Sequence, residues 1–146
     1  MNRLTRFVAS VAVVAAIAAP AAVRADDQDT IAYREDIMKT LGDQAASIGM
    51  IIQGKAPAEN IVAHTQILAL AAASALDAFE PKVAGGESKP EVWAQWADFS
   101  KKMNEFSMAA ADLAKTAKAG GLEAVKPKMQ ATMTCKGCHD VYRQKK

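Results

Sequence analysis

The residues best suited to chemistry lie close to the C-terminus of this chain. Its two cysteines, Cys135 and Cys138, are three positions apart, and His139 follows directly. A disulfide between them would close a very small loop and constrain little of the unfolded chain. A zinc site needs about four nitrogen or sulfur ligands, and the sequence adds only His64. A thioredoxin-type redox pair expects a β-α-β setting, which no segment of the sequence indicates.

The spacing instead matches the C-x-x-C-H pattern that attaches a c-type haem. On a helix, positions i, i+3 and i+4 share one face, so two thiols can add to the haem vinyl groups while the imidazole lies under the iron. Gly137 would let the porphyrin edge approach the backbone closely. The pattern predicts one covalent haem c, bound through Cys135 and Cys138, with His139 as the proximal iron ligand.

The first 25 residues have the features of a secretory signal. Arg3 and Arg6 precede an apolar run over residues 7–19, and a small-residue cleavage pattern ends at Ala25. The run is shorter than the about 20 residues of a membrane span. A buried N-terminal helix is the alternative. We expect a cleaved signal peptide over residues 1–25, a mature domain over residues 26–146 and a periplasmic location, where haem attachment of this kind takes place.

The charge of the chain depends on that cleavage. The sequence has 18 basic and 16 acidic residues. Cleavage after Ala25 removes three arginines and leaves 15 basic residues against 16 acidic ones, a net charge of −1. This balance does not favour a nucleic-acid partner. Because no second long apolar stretch is evident, we also expect no membrane span in the mature chain.

Four segments of the mature chain show helical periodicity, at about residues 30–53, 57–79, 88–120 and 122–142. For the third, Ser88 and Glu91 have the spacing of a capping box. The fourth contains Pro127, and we favour a start near Lys126 over a start near Leu122, because proline is tolerated in a first turn. The expected core seams are Ile31, Met38, Ala45, Ile52 with Leu41, Ile48; Ile61, Thr65, Leu68, Ala72, Ala75, Phe79; and Val92, Trp96, Phe99, Met103, Phe106, Ala110, Leu113, Ala117.

Short connections between four such helices predict an all-α, antiparallel up-and-down four-helix bundle with the haem inside it. The Gly-rich link over residues 81–89 is the segment most suited to cover a cofactor. Several seam positions are small, which calls either for closely packed helices or for a cofactor in the core. These positions are Ala45, Ala72, Ala75, Ala110 and Ala117.

Three stretches together resemble the cytochrome c′ family, the class II c-type cytochromes. They are Tyr33-Arg34-Glu35, the Gly-Gly-x-x-x-Pro-Glu-x-Trp stretch from Gly85 to Trp93, and the run from Cys135 to Arg143. The resemblance implies a four-helix bundle, usually a homodimer, with the haem inside. It further implies that Arg34 and Glu35 approach the haem periphery and that Glu87 lies in a loop over a haem edge. Met38 would stand at the distal position over the iron, and Arg143 beside the proximal ligand.

The position of Arg34 is unusual for a charged residue, independently of the resemblance. It occupies the core-facing row of the first helix, one turn before Met38. A core-facing guanidinium without a partner is costly, and a haem propionate would supply a bidentate partner. The alternative is that Arg34 extends to water at the helix end.

The distal side of the iron decides the function. Haem with His and Met ligands suits one-electron transfer, whereas haem with one open side binds diatomic gases. Met38 is interpreted as an iron ligand, as a residue that crowds the iron, or as ordinary core filling. Our leading hypothesis is electron transfer with redox partner proteins, and the alternative is a gas-binding protein for NO or CO. A haem enzyme is disfavoured, because no distal acid-base pair is visible.

Two further features have ordinary explanations beside the functional ones. His64 lies on the flank of the second seam, where a half-buried histidine with a polar neighbour is favoured over an iron ligand. Lys136, Lys145 and Lys146 form a basic rim that could dock acidic redox partners. Lysines that complement the end of the last helix are the slightly favoured interpretation.

Overall fold

The computed structural model describes residues 26–145, and its first helix is α1 (Asp27–Ile52). Asp26 caps the helix by accepting a hydrogen bond from the backbone N–H of Asp29 at 2.8 Å, which satisfies a donor of the first turn. Gly54 follows the helix with a φ of +69°, the left-handed conformation that commonly ends helices. The expected signal peptide lies outside the described residues.

The buried face of α1 differs in part from the expected seam. Leu41 and Ile48 are buried as predicted, but the row of Ile31, Met38, Ala45 and Ile52 is only half-buried. Ile37 and Ile51 are buried in its place. One reason is visible at Met38, which lines a cavity at the edge of the core.

The second bundle helix is α2 (Ile61–Ala75), preceded by a 3-10 turn (Ala58–Asn60) and followed by another (Asp77–Phe79). All its expected seam residues are buried, namely Ile61, Thr65, Leu68, Ala72, Ala75 and Phe79. Within residues 26–145, Ala58–Phe79 is long and apolar enough to cross a membrane, although no such stretch was expected from the sequence. This segment packs against α1 and α4, as a core helix of a bundle does.

The capping box predicted at the start of the third helix does not form. Helix α3 (Glu91–Ala94) follows Pro90, and no side chain caps it. The backbone around Ser88 is instead paired with the C-terminal segment. The Lys89 N–H donates to the Tyr142 carbonyl at 2.9 Å, and the Gln144 N–H donates to the Glu87 carbonyl at 2.8 Å. Tertiary pairing therefore replaces the local cap.

Helix α4 (Trp96–Thr132) contains two helical arms that meet at Gly121. At this residue φ is 62° and ψ is −153°, a combination that is essentially restricted to glycine. Lys128 lies 2.6 Å from the carboxylate of Asp112. In a straight helix, residues 16 positions apart are separated by about 24 Å. The ion pair therefore shows that the chain folds back at Gly121.

The first arm of α4 buries the predicted seam closely. Phe99, Met103, Ala110, Leu113 and Ala117 are buried, as is Val92 of α3, while Trp96 and Phe106 are half-buried. The favoured start of the fourth helix near Lys126 is wrong, since the second arm follows Gly121 directly and contains Pro127. Proline there removes a single backbone hydrogen bond, and Val125 anchors the arm in the core.

The last helix, α5 (Cys135–Tyr142), is separated from α4 by a break that the sequence did not indicate. Met133 has a φ of −85° and a ψ of 65°, which lies outside the helical region. Helices α1 and α2, the first arm of α4, and its second arm with α5 form the predicted four-helix bundle. The all-α prediction is confirmed.

Candidate functional site

A cavity of about 570 Å³ lies between α1 on one side and α4, α5 and the segment before α3 on the other. Its volume is within the range of about 300–1,000 Å³ typical of ligand pockets. Phe99 contributes to its apolar wall and contacts the rings of two other lining residues. The ring centroids of Phe79 and Tyr142 lie 5.0 Å and 5.1 Å from that of Phe99. Val92 and Met103 complete this wall.

The same cavity collects most of the residues that the sequence singled out. Its lining includes Arg34, Glu35 and Met38 from α1, Glu87 from the Gly-rich link, and Cys138 and His139 from α5. More than 90 positions separate the α1 group from the α5 group in the sequence. Cys135 lies on the first turn of α5, where it is exposed, and it is not part of the cavity lining.

The electrostatic surroundings of α5 differ for its thiol and its imidazole. Burial raises the pKa of the Cys138 thiol, and the nearby positive charge of Lys102 partly opposes this effect. Partial burial lowers the pKa of His139, and the charge of Arg143 lowers it further. Both changes favour the neutral forms at neutral pH. A neutral imidazole is the form that binds a metal.

Glu87 lies next to α5 and forms an ion pair there. Its carboxylate accepts hydrogen bonds from Nε of Arg143 at 2.7 Å and lies 2.6 Å from Nη2 of the same residue. The preceding Gly86 has a φ of +60°, and a Cβ at that position would lie 2.5 Å from Oε1 of Glu35. The left-handed backbone and the close approach to Ile31 and Glu35 of α1 both favour glycine at this position.

Arg34 is buried, with 2% of its surface exposed, so the alternative that it extends to water is wrong. Both of its terminal nitrogens donate to the carbonyl oxygen of Val83 at 2.9 Å. The guanidinium carbon lies 5.5 Å from the ring centroid of Phe79 and 5.1 Å from that of Trp93. Burial lowers the pKa of Arg34, yet a guanidinium remains charged in proteins. The sequence did not indicate Val83 as a partner.

Tyr142 and Asp98 form a contact that sequence reasoning missed. The Tyr142 hydroxyl donates to the Asp98 carboxylate, which is also bound by Nζ of Lys102 at 2.5 Å. Burial, together with the hydrogen bond to Asp98, raises the pKa of Tyr142 to about 12. Tyr142 lies one helical turn after His139, so its position beside this histidine could have been predicted from their spacing in the sequence. No pattern in the sequence points to Asp98.

Other candidate features of the sequence lie away from the cavity. Nδ1 of His64 is 2.8 Å from Oε1 of Gln44 on α1, so this histidine has the polar neighbour that we expected. The small seam residues do not line the cavity either. The buried ones, Ala72, Ala75, Ala110 and Ala117, therefore serve close helix packing, the first of the two explanations given for them.

The donors around the cavity suit a haem better than a bare metal ion. Within residues 26–145, no group of three or more His, Cys, Asp or Glu side chains could hold such an ion. The available nitrogen and sulfur groups are one imidazole, the thioethers of Met38 and Met103, and two thiols three positions apart. A haem brings four nitrogen ligands of its own and asks the protein only for axial ligands and attachment points. The residues present therefore fit this cofactor.

Comparison with known proteins gives a consistent result. A family model described as cytochrome C' matches residues 29–143. The chain is 30% identical over 125 residues to a cytochrome c' of Alcaligenes xylosoxydans xylosoxydans, covering 84% of this chain and 98% of that protein. It is 32% identical over 123 residues to a cytochrome c' of Rubrivivax gelatinosus, covering 80% and 95%.

Solved structures with a similar fold include ligand-bound forms. A ferrous variant of cytochrome c prime from Alcaligenes xylosoxidans with bound NO has a TM-score of 0.76 at 29% identity, covering 85% of this chain and 100% of that one. A carbon monoxide-bound variant from the same organism has a TM-score of 0.75 at 30% identity, covering 83% and 98%.

Proposed function

This chain belongs to the cytochrome c′ family, and we propose that it acts as a periplasmic one-electron carrier with a single haem c. Proteins of the family bind a covalent haem c with its iron. The proposal rests above all on one observation: Met38, Cys138 and His139 line a single cavity of about 570 Å³. A thioether and an imidazole are the axial ligands of haem iron in electron-transfer cytochromes.

We propose that Cys135 and Cys138 bind the haem vinyl groups and that His139 is the proximal ligand. Both cysteines are free of disulfides and lie on the same eight-residue helix as His139. Burial and Arg143 keep the imidazole neutral by lowering its pKa, which leaves a ring nitrogen able to bind the iron. The exposed position of Cys135 would keep one haem edge close to solvent, as electron exchange with a partner protein requires.

The polar residues of the rim would serve the haem periphery. Arg34, Glu35 and Glu87 all line the cavity. Arg34 is the cation among them, and haem propionates are carboxylates that a guanidinium binds well. In that arrangement Arg34 would exchange at least part of its contact with the Val83 carbonyl for a propionate.

The role of Met38 can be tested by the optical spectrum of the purified holoprotein in both redox states. If Met38 is the distal ligand, the ferrous haem is low-spin and the ferric haem shows a thioether charge-transfer band. Both signals should disappear in Met38→Ala. Met103→Ala is the matched control, because Met103 also lines the cavity but belongs to α4. A low-spin spectrum that survives in Met38→Ala would contradict ligation by Met38.

Binding of diatomic gases is the second candidate function. It is favoured by the similar structures of the Alcaligenes protein, which include one with bound NO and one with bound carbon monoxide. In this case Met38 would crowd the iron without binding it. The wild-type spectrum would then be high-spin and would shift readily on addition of carbon monoxide.

Export and dimer formation complete the proposal. A periplasmic extract should contain a chain that begins at Asp26, which mass spectrometry would show directly.

For a homodimer, the exposed apolar side chains of α2 offer a contact surface, with Ile67 43% and Leu70 73% exposed. Leu70→Glu should lower the mass measured by sedimentation equilibrium, whereas Lys136→Glu, at an exposed position of α5, should not.

Redox partners would meet the protein near α5. Lys136 is highly exposed there, with 89% of its side chain accessible, and Lys145 is exposed as well. Lys146, the third lysine of the expected basic rim, lies outside the described residues. Lys136→Glu should therefore slow electron exchange with an acidic partner at low salt, and added salt should reduce the difference.

A further inference from the structure

Helix α4 does not set the direction of α5, the helix that follows it. The backbone leaves the helical region at Met133, and α5 has only eight residues. Helices this short are not stable on their own, and a non-helical break does not transmit the orientation of α4. Something else must therefore fix the direction in which His139 points.

Two side-chain contacts hold the C-terminal end of α5. Tyr142 donates its hydroxyl hydrogen to Asp98 of α4, and Arg143 forms the ion pair with Glu87 of the Gly-rich link. The backbone hydrogen bonds from Lys89 to Tyr142 and from Gln144 to Glu87 join the same two segments. We call these contacts together the C-terminal clamp.

The geometry points to a positioning role for this clamp, an inference that rests on the proposed role of His139 as iron ligand. Tyr142 follows His139 by three residues, so its side chain lies on the same face of α5. Arg143 caps the C-terminal end of the helix. Their partners belong to two different elements, α4 and the link before α3. Contacts in two directions fix both the tilt of α5 and its rotation about its axis. Asp98 and Glu87 are therefore positioning residues for the imidazole.

The ring packing of Tyr142 allows its hydroxyl to be tested separately. Its ring lies edge-on to Phe99, and Tyr142→Phe retains this contact while removing the hydrogen bond to Asp98. Glu87→Gln retains the size of the side chain and removes the charge that faces Arg143. The double variant Tyr142→Phe/Glu87→Gln should thus weaken the clamp without opening the core.

A matched double variant provides the control. Tyr33→Phe removes a hydroxyl from an exposed tyrosine of α1, and Glu123→Gln removes the charge that faces Lys126 at 2.6 Å. Neither residue takes part in the C-terminal clamp. This variant carries the same two chemical changes at positions where we expect no effect on His139.

The experiment measures hydrogen exchange of the holoprotein together with the electron paramagnetic resonance spectrum of its ferric iron. In the clamp variant, amides of α5 and of Lys89 and Gln144 should exchange roughly tenfold faster, because local opening governs their exchange. The ferric spectrum should broaden or show a second species, since the imidazole then has more than one orientation. The control variant should match the wild type in both measurements.

Two results would overturn the inference. One is unchanged exchange in α5, and the other is faster exchange spread evenly over α1 and α2, which would indicate a general loss of stability. Restoring Glu87 in the double variant should recover part of the protection. All the variants retain Met38 and are compared in the same state of the haem, so the change in exchange tests the clamp whichever distal ligand the iron has. The clamp and the role of Met38 can therefore fail independently of each other.

Discussion

Both terminal nitrogens of Arg34 donate to the carbonyl oxygen of Val83 at 2.9 Å, although 49 positions separate the two residues. The contact joins α1 to the start of the Gly-rich link that leads to Glu87. Trp93 closes the arrangement, since its ring faces the guanidinium and its indole N–H donates to the Phe79 carbonyl at 2.9 Å. The buried guanidinium of Arg34 therefore stabilises the wall of the cavity against which the haem would lie.

Replacement of Arg34 by methionine tests this contact. The variant retains an unbranched side chain but leaves the Val83 carbonyl without its donor, which typically costs about 1–3 kcal/mol. We expect a lower free energy of unfolding by an amount in this range, measured by urea denaturation. Lys39→Met removes an exposed cation from the same helix and should change the stability little. Equal effects of the two substitutions would show that the buried contact contributes nothing.

Two glycines should respond to alanine in opposite directions. Gly121 has a φ of 62°, and nothing lies within 4 Å of a Cβ built there. Gly121→Ala should therefore destabilise the protein through its backbone alone, by about 1–3 kcal/mol. Gly49 lies within α1 and also has free space for a Cβ. Gly49→Ala should stabilise by about 0.5–1 kcal/mol. Thermal unfolding would show the midpoint moving down in one variant and up in the other.

The Asp98 carboxylate should make the stability dependent on pH in acid. The hydrogen bond from Lys102, followed by that from Tyr142, lowers the pKa of Asp98 below its ordinary value of 3.8. A lowered pKa in the folded state means that the contribution is present above the ordinary value and is lost as the pH falls through the folded one. Asp98→Asn should therefore flatten the decline in unfolding midpoint below about pH 4.

Tyr142→Phe distinguishes the two hydrogen bonds of Asp98. It removes only the smaller of the two hydrogen-bond contributions that lower the pKa of Asp98. Its curve of unfolding midpoint against pH should lie between those of the wild type and of Asp98→Asn. Parallel curves for all three proteins would contradict the assignment.

The attachment of the haem gives the plainest prediction. From cells that assemble c-type cytochromes, the mature wild-type chain should be heavier by the mass of one haem under denaturing conditions. Cys135→Ser/Cys138→Ser should have the mass of the bare processed chain, because no thiol remains to form a thioether bond. His64→Ala should keep the haem, since His64 contacts Gln44 outside the cavity. Haem that stays attached to the double serine variant would contradict the proposal.

Sequence periodicity predicted the buried residues best in helices that contact their neighbours through a regular row of side chains. The rows from Ile61 to Phe79 and from Val92 to Ala117 are buried nearly as predicted. It was less successful in α1, where Met38 faces the cavity. The local rule for a capping box also failed at Ser88, because the backbone on both sides of it pairs with the C-terminal segment. Such pairing depends on residues more than 50 positions away.

By itself, the sequence determined the all-α bundle, the family and the attachment pattern, because helical periodicity and the spacing of Cys135, Cys138 and His139 are local properties. The tertiary structure decided which distant groups meet: Arg34 with Val83, and Asp98 with Tyr142. It also decided that the chain leaves the helix at Met133. These contacts depend on the packing of whole helices against one another, for which no short stretch of sequence carries a rule.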